Sequence, residues 1–276
     1  MKNSLLIAVF LIIGINALPQ RYFELGVFGG ASYYTGDLNP NAYFPIENTH
    51  LALGLAGRYN FNSRWAMRFN LTHGNISGND GNSTDPFQQN RNLSFYSSIN
   101  EASAVMEFNF LYFDPYNPMS YFKGPDKFTP FIYGGLSIFN FNPKARIGEN
   151  EYELRAFTTE LEEYSRTSIA IPFGGGFKFR LSDRLILTAE WGMRKTFTDY
   201  LDDVSGMYPD SPQQLSETGA DLSDRSVKQQ GKDGSNWGTQ RGNSQTTDWF
   251  SFAGITLTYN IHKNPNQCHF NQWKSR

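Results

Sequence analysis

Cysteine is almost missing from this chain: Cys268 is the only one in 276 residues. An internal disulfide is excluded, so the fold must be held by its own hydrogen bonds and packing. Positive charge is also in short supply. With 24 Lys and Arg against 26 Asp and Glu, the formal net charge is -2, and no basic cluster offers the electrostatic footprint of nucleic-acid binding. Long apolar runs are missing after the first residues, and mean hydropathy is -0.50. Spanning helices would need such runs, so a helical membrane protein is excluded. A β-barrel is not, because only alternate residues of its strands face lipid. Several chemistries fall with their motifs. Gly174-Gly175-Gly176 is not followed by Lys-Ser/Thr and is no phosphate cradle. Asn79-Asp80-Gly81-Asn82 and Asp202-Asp203 lack EF-hand spacing and read as solvated loop chemistry. No cofactor, metal or catalytic residue is assigned.

What is present begins at the amino terminus. Met1-Lys2-Asn3-Ser4 precedes an apolar run from Leu5 to Ile15 and then Asn16-Ala17. A positive start, a short apolar core and a small final residue describe a secretory signal peptide over 1–17, expected to be cut after Ala17. The run is too short to span a membrane comfortably. No cysteine follows it, so lipoprotein processing is not expected.

The most informative stretch is 168–204. Ile169, Ile171, Phe173, Gly175, Phe177 and Phe179 alternate with Ala170, Pro172, Gly174, Gly176, Lys178 and Arg180. After the turn Ser182-Asp183-Arg184, Leu185, Leu187, Ala189, Trp191 and Met193 alternate with Ile186, Thr188, Glu190, Gly192 and Arg194. Period two sorts these residues onto two faces of a long β-hairpin, one apolar throughout and one of glycine and charge. A soluble sandwich and a transmembrane barrel both present such a pair.

The whole chain separates the two. Alternating runs fall at 22–34, 51–61, 65–73, 99–112, 129–141, the two arms of the hairpin, and 249–261; the fifth is ambiguous because both its faces are apolar or glycine. The odd connections are long, about 35–50, 74–98, 142–167 and 195–248. The even ones are Asn62-Ser63-Arg64, an intermediate 113–128, and Ser182-Asp183-Arg184. Strict alternation of long and short connections is the mark of an up-and-down barrel with long outer loops and periplasmic turns. The predicted fold is therefore all-β: an eight-stranded antiparallel transmembrane β-barrel over 22–261 in the outer membrane, in contact with its lipids. A periplasmic tail over 262–276 follows.

The inward positions carry Glu24, Arg58, Arg68, Glu101, Glu107, Lys178, Arg180, Glu190 and Arg194. Eight strands enclose only enough room for side chains, and unpaired buried charge is costly, so these residues are expected to pair and fill the lumen. A selective pore would show one sign of charge at a constriction. Three functions stay open at this point. They are a secretion subunit, a generic small barrel of the OmpA or OmpX kind acting as adhesin or membrane stabiliser, and a barrel enzyme of the lipid A deacylase type. For the last, His73 lies at the outer end of its strand on the lipid-facing parity, yet no acid or nucleophile stands at a recognisable spacing, and it reads as an interfacial polar residue.

The segment Glu24-Leu25-Gly26-Val27-Phe28-Gly29-Gly30, followed by Tyr33-Tyr34-Thr35-Gly36-Asp37-Leu38, resembles the first strand and loop of PorG-type proteins. Glu107-Phe108-Asn109-Phe110, Pro130-Phe131-Ile132-Tyr133-Gly134-Gly135, Pro172-Phe173-Gly174-Gly175-Gly176, Glu190-Trp191-Gly192-Met193-Arg194 and Thr198-Asp199-Tyr200-Leu201-Asp202-Asp203-Val204 are similar too. The first loop and the 198–204 segment are the more specific. The resemblance implies a non-catalytic outer-membrane barrel of the type IX secretion and gliding machinery, associated with a periplasmic ring of the PorK lipoprotein and PorN, with no small-molecule substrate. It carries over no contact residues. From position alone, Tyr116, Tyr121 and Phe122 with the tail's Phe270 and Trp273 form either a docking surface for that ring, since aromatics are favoured anchors, or ordinary interfacial aromatics beside a disordered tail. Cys268 beside His269 is able to join a partner thiol or a metal, but reads as a bystander thiol. The connection 201–247, rich in Ser, Gln, Gly and Asp, is expected to be mobile.

Overall fold

A computed structural model describes residues 22–39, 48–114, 127–182, 184–226 and 235–261. The expected signal peptide over 1–17, the segment 115–126 and the expected tail over 262–276 lie outside them. Nine strands form: β1 (Tyr22–Thr35), β2 (His50–Asn60), β3 (Trp65–Asn79), β4 (Ser94–Asn109), β5 (Phe128–Ile147), β6 (Asn150–Glu153), β7 (Thr167–Arg180), β8 (Leu185–Thr196) and β9 (Trp249–Asn260). All but the short β6 pair antiparallel with their neighbours on both sides, and β1 pairs with β9. The sheet is thus a closed barrel of eight staves, with β6 folded back on the far end of β5.

Period two produces the two surfaces. The staves place Leu25, Leu53, Phe69, Met106, Ile132, Ile169, Trp191 and Ile255 on the outer wall, each more than two-fifths exposed. A belt of this size, contributed by every stave, has no place on a soluble monomer and fits hydrocarbon. The fifth strand, undecided from its pattern, turns Phe131, Tyr133, Phe139 and Phe141 inward and Ile132, Leu136 and Ile138 outward. Between Gly134↔Phe173 and Ser137↔Ala170 the β5–β7 ladder is interrupted at Pro172, which has no N–H to give.

Both tight connections close in one way. Asn62 Oδ1 accepts from the amides of Arg64 and Trp65 at 2.8 and 2.9 Å; Ser182 Oγ accepts from those of Arg184 and Leu185 at 3.3 and 3.1 Å. A short polar side chain thereby substitutes for a backbone acceptor in the turn.

At the other end the strands run further than the alternation indicated. β3 continues to Asn79, β4 starts at Ser94 and β5 reaches Ile147. There the outward residues Asn75, Ser77, Ser98 and Lys144 are polar, so the apolar pattern stops. The ladder continues through Asn75↔Ser98, Ser77↔Tyr96 and Tyr96↔Lys144. Much of what reads as loop at 74–98 and 142–167 is sheet standing above the apolar belt.

Candidate functional site: a filled lumen under a covered mouth

Inward charges meet across the barrel. Arg58 pairs with Glu24 at 2.7 Å and with Glu107 at 2.9 Å. Arg68 pairs with Glu107 at 2.6 Å and grips both oxygens of Glu190 at 2.6 Å. Lys178 reaches Glu107 at 2.6 Å, and Arg194 reaches Glu101 at 3.1 Å. Asn60 and Thr258 donate to Glu24 at 2.7 Å, and Thr256 to Glu190 at 2.8 Å. The structure therefore brings together Glu24, Arg58, Arg68, Glu101, Glu107, Lys178, Glu190 and Arg194, in which carboxylates and cations balance one for one. Arg180 sits half-buried at the tight-turn end of β7, its amide donating to the Lys127 carbonyl at 2.9 Å. Paired charges with satisfied lone pairs are what a buried ionic core needs to persist. Between Phe28, Arg68, Thr72, Tyr133, Glu190 and Phe252 the remaining space is about 20 Å³, room for about one water.

Above this tier the lumen turns aromatic. The Arg194 guanidinium lies 4.5 Å from the centre of the Phe252 ring. From there Phe252, Phe250, Phe139 and Phe141 follow with centroids 5.6, 5.1 and 5.7 Å apart. Tyr164 stacks on Phe141 at 6.3 Å and Tyr200 on Tyr164 at 4.7 Å. This column carries the core from the barrel into its long connections.

Those connections interlock over the mouth. The helix α1 (Pro86–Arg91) is capped by Asp85 and ends on Arg91. Arg91 binds Asp80 at 2.7 and 2.8 Å and donates to the carbonyls of Arg241 at 2.6 Å and Asp37 at 2.8 Å. Arg241 pairs with Glu160 at 2.9 Å, donates to the Asp203 carbonyl, and lies 3.6 Å from the Asp203 carboxylate. Glu160 accepts from the amides of Ser205 and Gly206 at 2.9 Å. Thr159 and Tyr164 donate to Asp203 at 2.5 and 2.6 Å. A second helix, α2 (Glu217–Ser223), buries Leu222 and ties Ser223 to the Thr159 carbonyl at 2.7 Å.

The described part of 201–247 is thus packed, and this corrects the expectation of mobility. Its apolar residues are few, but Leu201, Val204, Tyr208 and Leu222 are all buried, and side chains from three other connections satisfy its backbone. Asp80, Asp202 and Asp203 are likewise buried rather than solvated. Asp203 holds a left-handed backbone at φ 68, a conformation Asp tolerates better than most residues. Burial raises its carboxyl to about 6 despite Arg241, and raises that of Asp199 to about 7.

The first-loop segment 33–38 and the segment 198–204, far apart in sequence, meet here. The Tyr34 hydroxyl donates to Asp202, and Asp37 Oδ2 accepts from the Asn243 amide at 3.0 Å. Sequence reasoning singled out both segments without pairing them.

His73 lies mid-strand in β3, with Nδ1 2.8 Å from Asn100 Oδ1. The histidine that meets a serine is one the sequence analysis left out: His50 Nε2 lies 2.7 Å from Ser77 Oγ, beside a cleft of about 380 Å³ lined by Tyr96 and Arg146. Among the described residues no carboxylate bonds the His50 ring, so the pair lacks the third group that orients a base. Among the described residues no group of three His, Cys, Asp or Glu is placed to hold a metal. Tyr116, Tyr121, Phe122, Phe270, Trp273 and Cys268 lie outside the described residues.

These features define a closed eight-stranded transmembrane β-barrel with a charge-balanced, filled lumen and a packed cap over its long-loop mouth. The chain belongs to the family described as Domain of unknown function (DUF6089), whose model matches residues 3–224. Solved barrels are similar in fold. Neisserial surface protein A is 9% identical with a TM-score of 0.43, covering 88% of this chain and 100% of its own. The attachment invasion locus protein Ail of Yersinia pestis, in its complex with sucrose octasulfate, is 9% identical with a TM-score of 0.42 and the same coverage. The N-terminal barrel domain of Pseudomonas aeruginosa OprF is 10% identical with a TM-score of 0.36, again over 88% and 100%. No curated relative matches the chain.

Proposed function

We propose that the protein is a non-catalytic, non-conducting outer-membrane subunit of the type IX secretion and gliding machinery. In this reading the capped mouth faces the cell exterior. The tight turns, the 113–128 connection and the tail face a periplasmic ring of PorK/PorN type. The observation that carries the reading is the filled lumen: a barrel plugged by paired charge passes no protein or solute, so within a secretion machine it acts through its contacts. The PorG-type segments 33–38 and 198–204 add to it, because a shared cap contact gives them a common physical purpose.

The test is recovery of ring subunits with the detergent-solubilised chain from native membranes. Recovery is expected, and a strong loss when 262–276 is deleted and 115–126 is replaced by a tight turn. Undiminished recovery in that variant removes the proposed docking surface. Absence of ring subunits from the intact chain overturns the secretion reading. Adhesion lost on removing the cap, with secretion intact in a gene-deletion strain, points to an adhesin instead. A changed lipid A acyl pattern in that strain points to an enzyme.

A further inference from the structure

At the outer end of β1, Tyr34 stands between two carboxylates of the 197–248 connection. Its hydroxyl donates to Asp202 Oδ2 and lies 3.0 Å from Asp248 Oδ1. The other oxygens are occupied: Asp202 Oδ1 accepts from the Val204 amide at 2.9 Å, and Asp248 Oδ2 from the Leu201 amide at 3.0 Å. All three side chains are buried, and among the described residues neither carboxylate has an ion-pair partner. Gly36 packs directly against the site. A Cβ there would lie 1.9 Å from Asp248 Oδ1 and 2.2 Å from the Tyr34 hydroxyl.

Hydrogen bookkeeping decides what this arrangement needs. A phenol has one proton to give, and an ionised carboxylate has none. Two buried carboxylates facing one hydroxyl therefore leave one close oxygen pair without a proton between them, unless one carboxylate carries its own. Like charges at such range in a dry site do not both persist.

We propose that Tyr34, Asp202 and Asp248 form a proton-operated latch: one extra proton shared by the two carboxylates ties the 197–248 connection across the mouth, and its loss releases that connection. The groups facing the latch are few. Asp37 comes from the first connection, Asp199 from the same connection as Asp202, and Arg91 from α1. Arg91 is the one cation among them, and it is engaged with Asp80 and with the carbonyls of Arg241 and Asp37. Burial, then the neighbouring carboxylates, raise Asp202 and Asp248 well above the ordinary carboxylate range. A carboxyl raised on folding binds more protons folded than free. Its contribution is complete in acid and is lost as pH climbs through the raised value. The latch therefore holds in acid and opens as pH climbs through the raised range of Asp202 and Asp248.

Full-length protein in lipid nanodiscs, with Cys268→Ser and spin labels at exposed Gln213 and Leu51, reports the cap-to-wall distance by pulsed electron resonance. Expected is one narrow distance in acid, shifting to a longer, broad distribution in alkali. Asp248→Asn, which donates without a proton from solvent, should hold the narrow distance throughout. A distance unchanged across the pH series, or an Asp248→Asn variant that opens as the unmodified chain does, overturns the latch. Infrared spectroscopy supplies a readout independent of that variant's folding. A buried carboxylic-acid band at neutral pH that Asp202→Asn diminishes supports the proposal, and its absence from the unmodified chain overturns it.

Discussion

Replacing Glu107 with alanine is expected to destabilise the barrel by about 3–5 kcal/mol, the loss that follows when one partner of a buried charge group is removed. Glu107 is fully buried and touches Arg58, Arg68 and Lys178 within 2.9 Å. Without it, three cations share Glu24 and Glu190, and Lys178 keeps the Asn109 oxygen at 2.9 Å and the Phe131 ring at 4.6 Å but, among the described residues, no carboxylate within salt-bridge distance. The Coulomb energy of the carboxylate is lost, while the desolvation cost of the cations remains. Removing a matching cation should repair much of the damage. Glu107→Gln with Lys178→Met restores neutrality, and the pair should be less harmful than the sum of its parts. Urea unfolding of the single and double variants in lipid, followed by tryptophan fluorescence, measures both. Equal stability of the Glu107→Ala variant and the unmodified chain would remove the network from the account.

Arg241→Ala should show a different pattern, a local opening. This guanidinium is buried in the cap, where it holds Glu160, the Asp203 carbonyl and carboxylate, and the Ser223 carbonyl. It lies 5.8 Å from the centre of the Tyr208 ring. Its removal strands two acidic side chains, again about 3–5 kcal/mol. Here the cost is met by detaching 197–248 rather than by unfolding staves, because the ladder beneath does not depend on it. At tenfold per 1.4 kcal/mol, cleavage of this connection by an added protease should rise about a hundredfold or more. The urea midpoint of the barrel should move far less. Cleavage unchanged from the unmodified chain would mean that Arg241 does not fasten the cap.

The barrel was legible in the sequence for a specific reason. Period two survives wherever one face touches lipid, so Leu53, Leu55, Phe69 and Leu71 could be told from Gly54, Ala56, Arg68 and Asn70 by inspection. Where that constraint ends, the signal ends: Asn75, Ser77 and Ser98 are paired strand residues outside the apolar belt, and alternation does not find them. In β5 the pattern failed from the opposite cause. Its lumenal face is Phe131, Tyr133, Phe139 and Phe141, as apolar as the wall, because the interior there is packed with rings.

For the site, face was legible and partnership was not. Alternation put Glu101 and Arg194 inside; that they meet, 93 residues apart, depends on where the staves stand around the circle. The cap was misread as mobile because composition weighs residues equally. A connection with few apolar side chains is ordered when several of them, here Leu201, Val204, Tyr208 and Leu222, are buried and when Arg91, Glu160 and Arg241, supplied largely from elsewhere, satisfy its backbone. Tyr34 and Asp202, 168 residues apart, illustrate the same limit: two segments can each be distinctive without revealing that they touch.

Ion conductance across a planar bilayer containing the purified full-length protein tests the filled barrel most directly. With charges paired across the lumen and aromatic rings stacked above them, the inserted chain should pass no discrete current steps at any holding potential, while protection of its strands from protease shows that it spans. Reproducible unitary steps from the intact chain would mean an open path through the staves, and the closed lumen, with the role built on it, would be wrong.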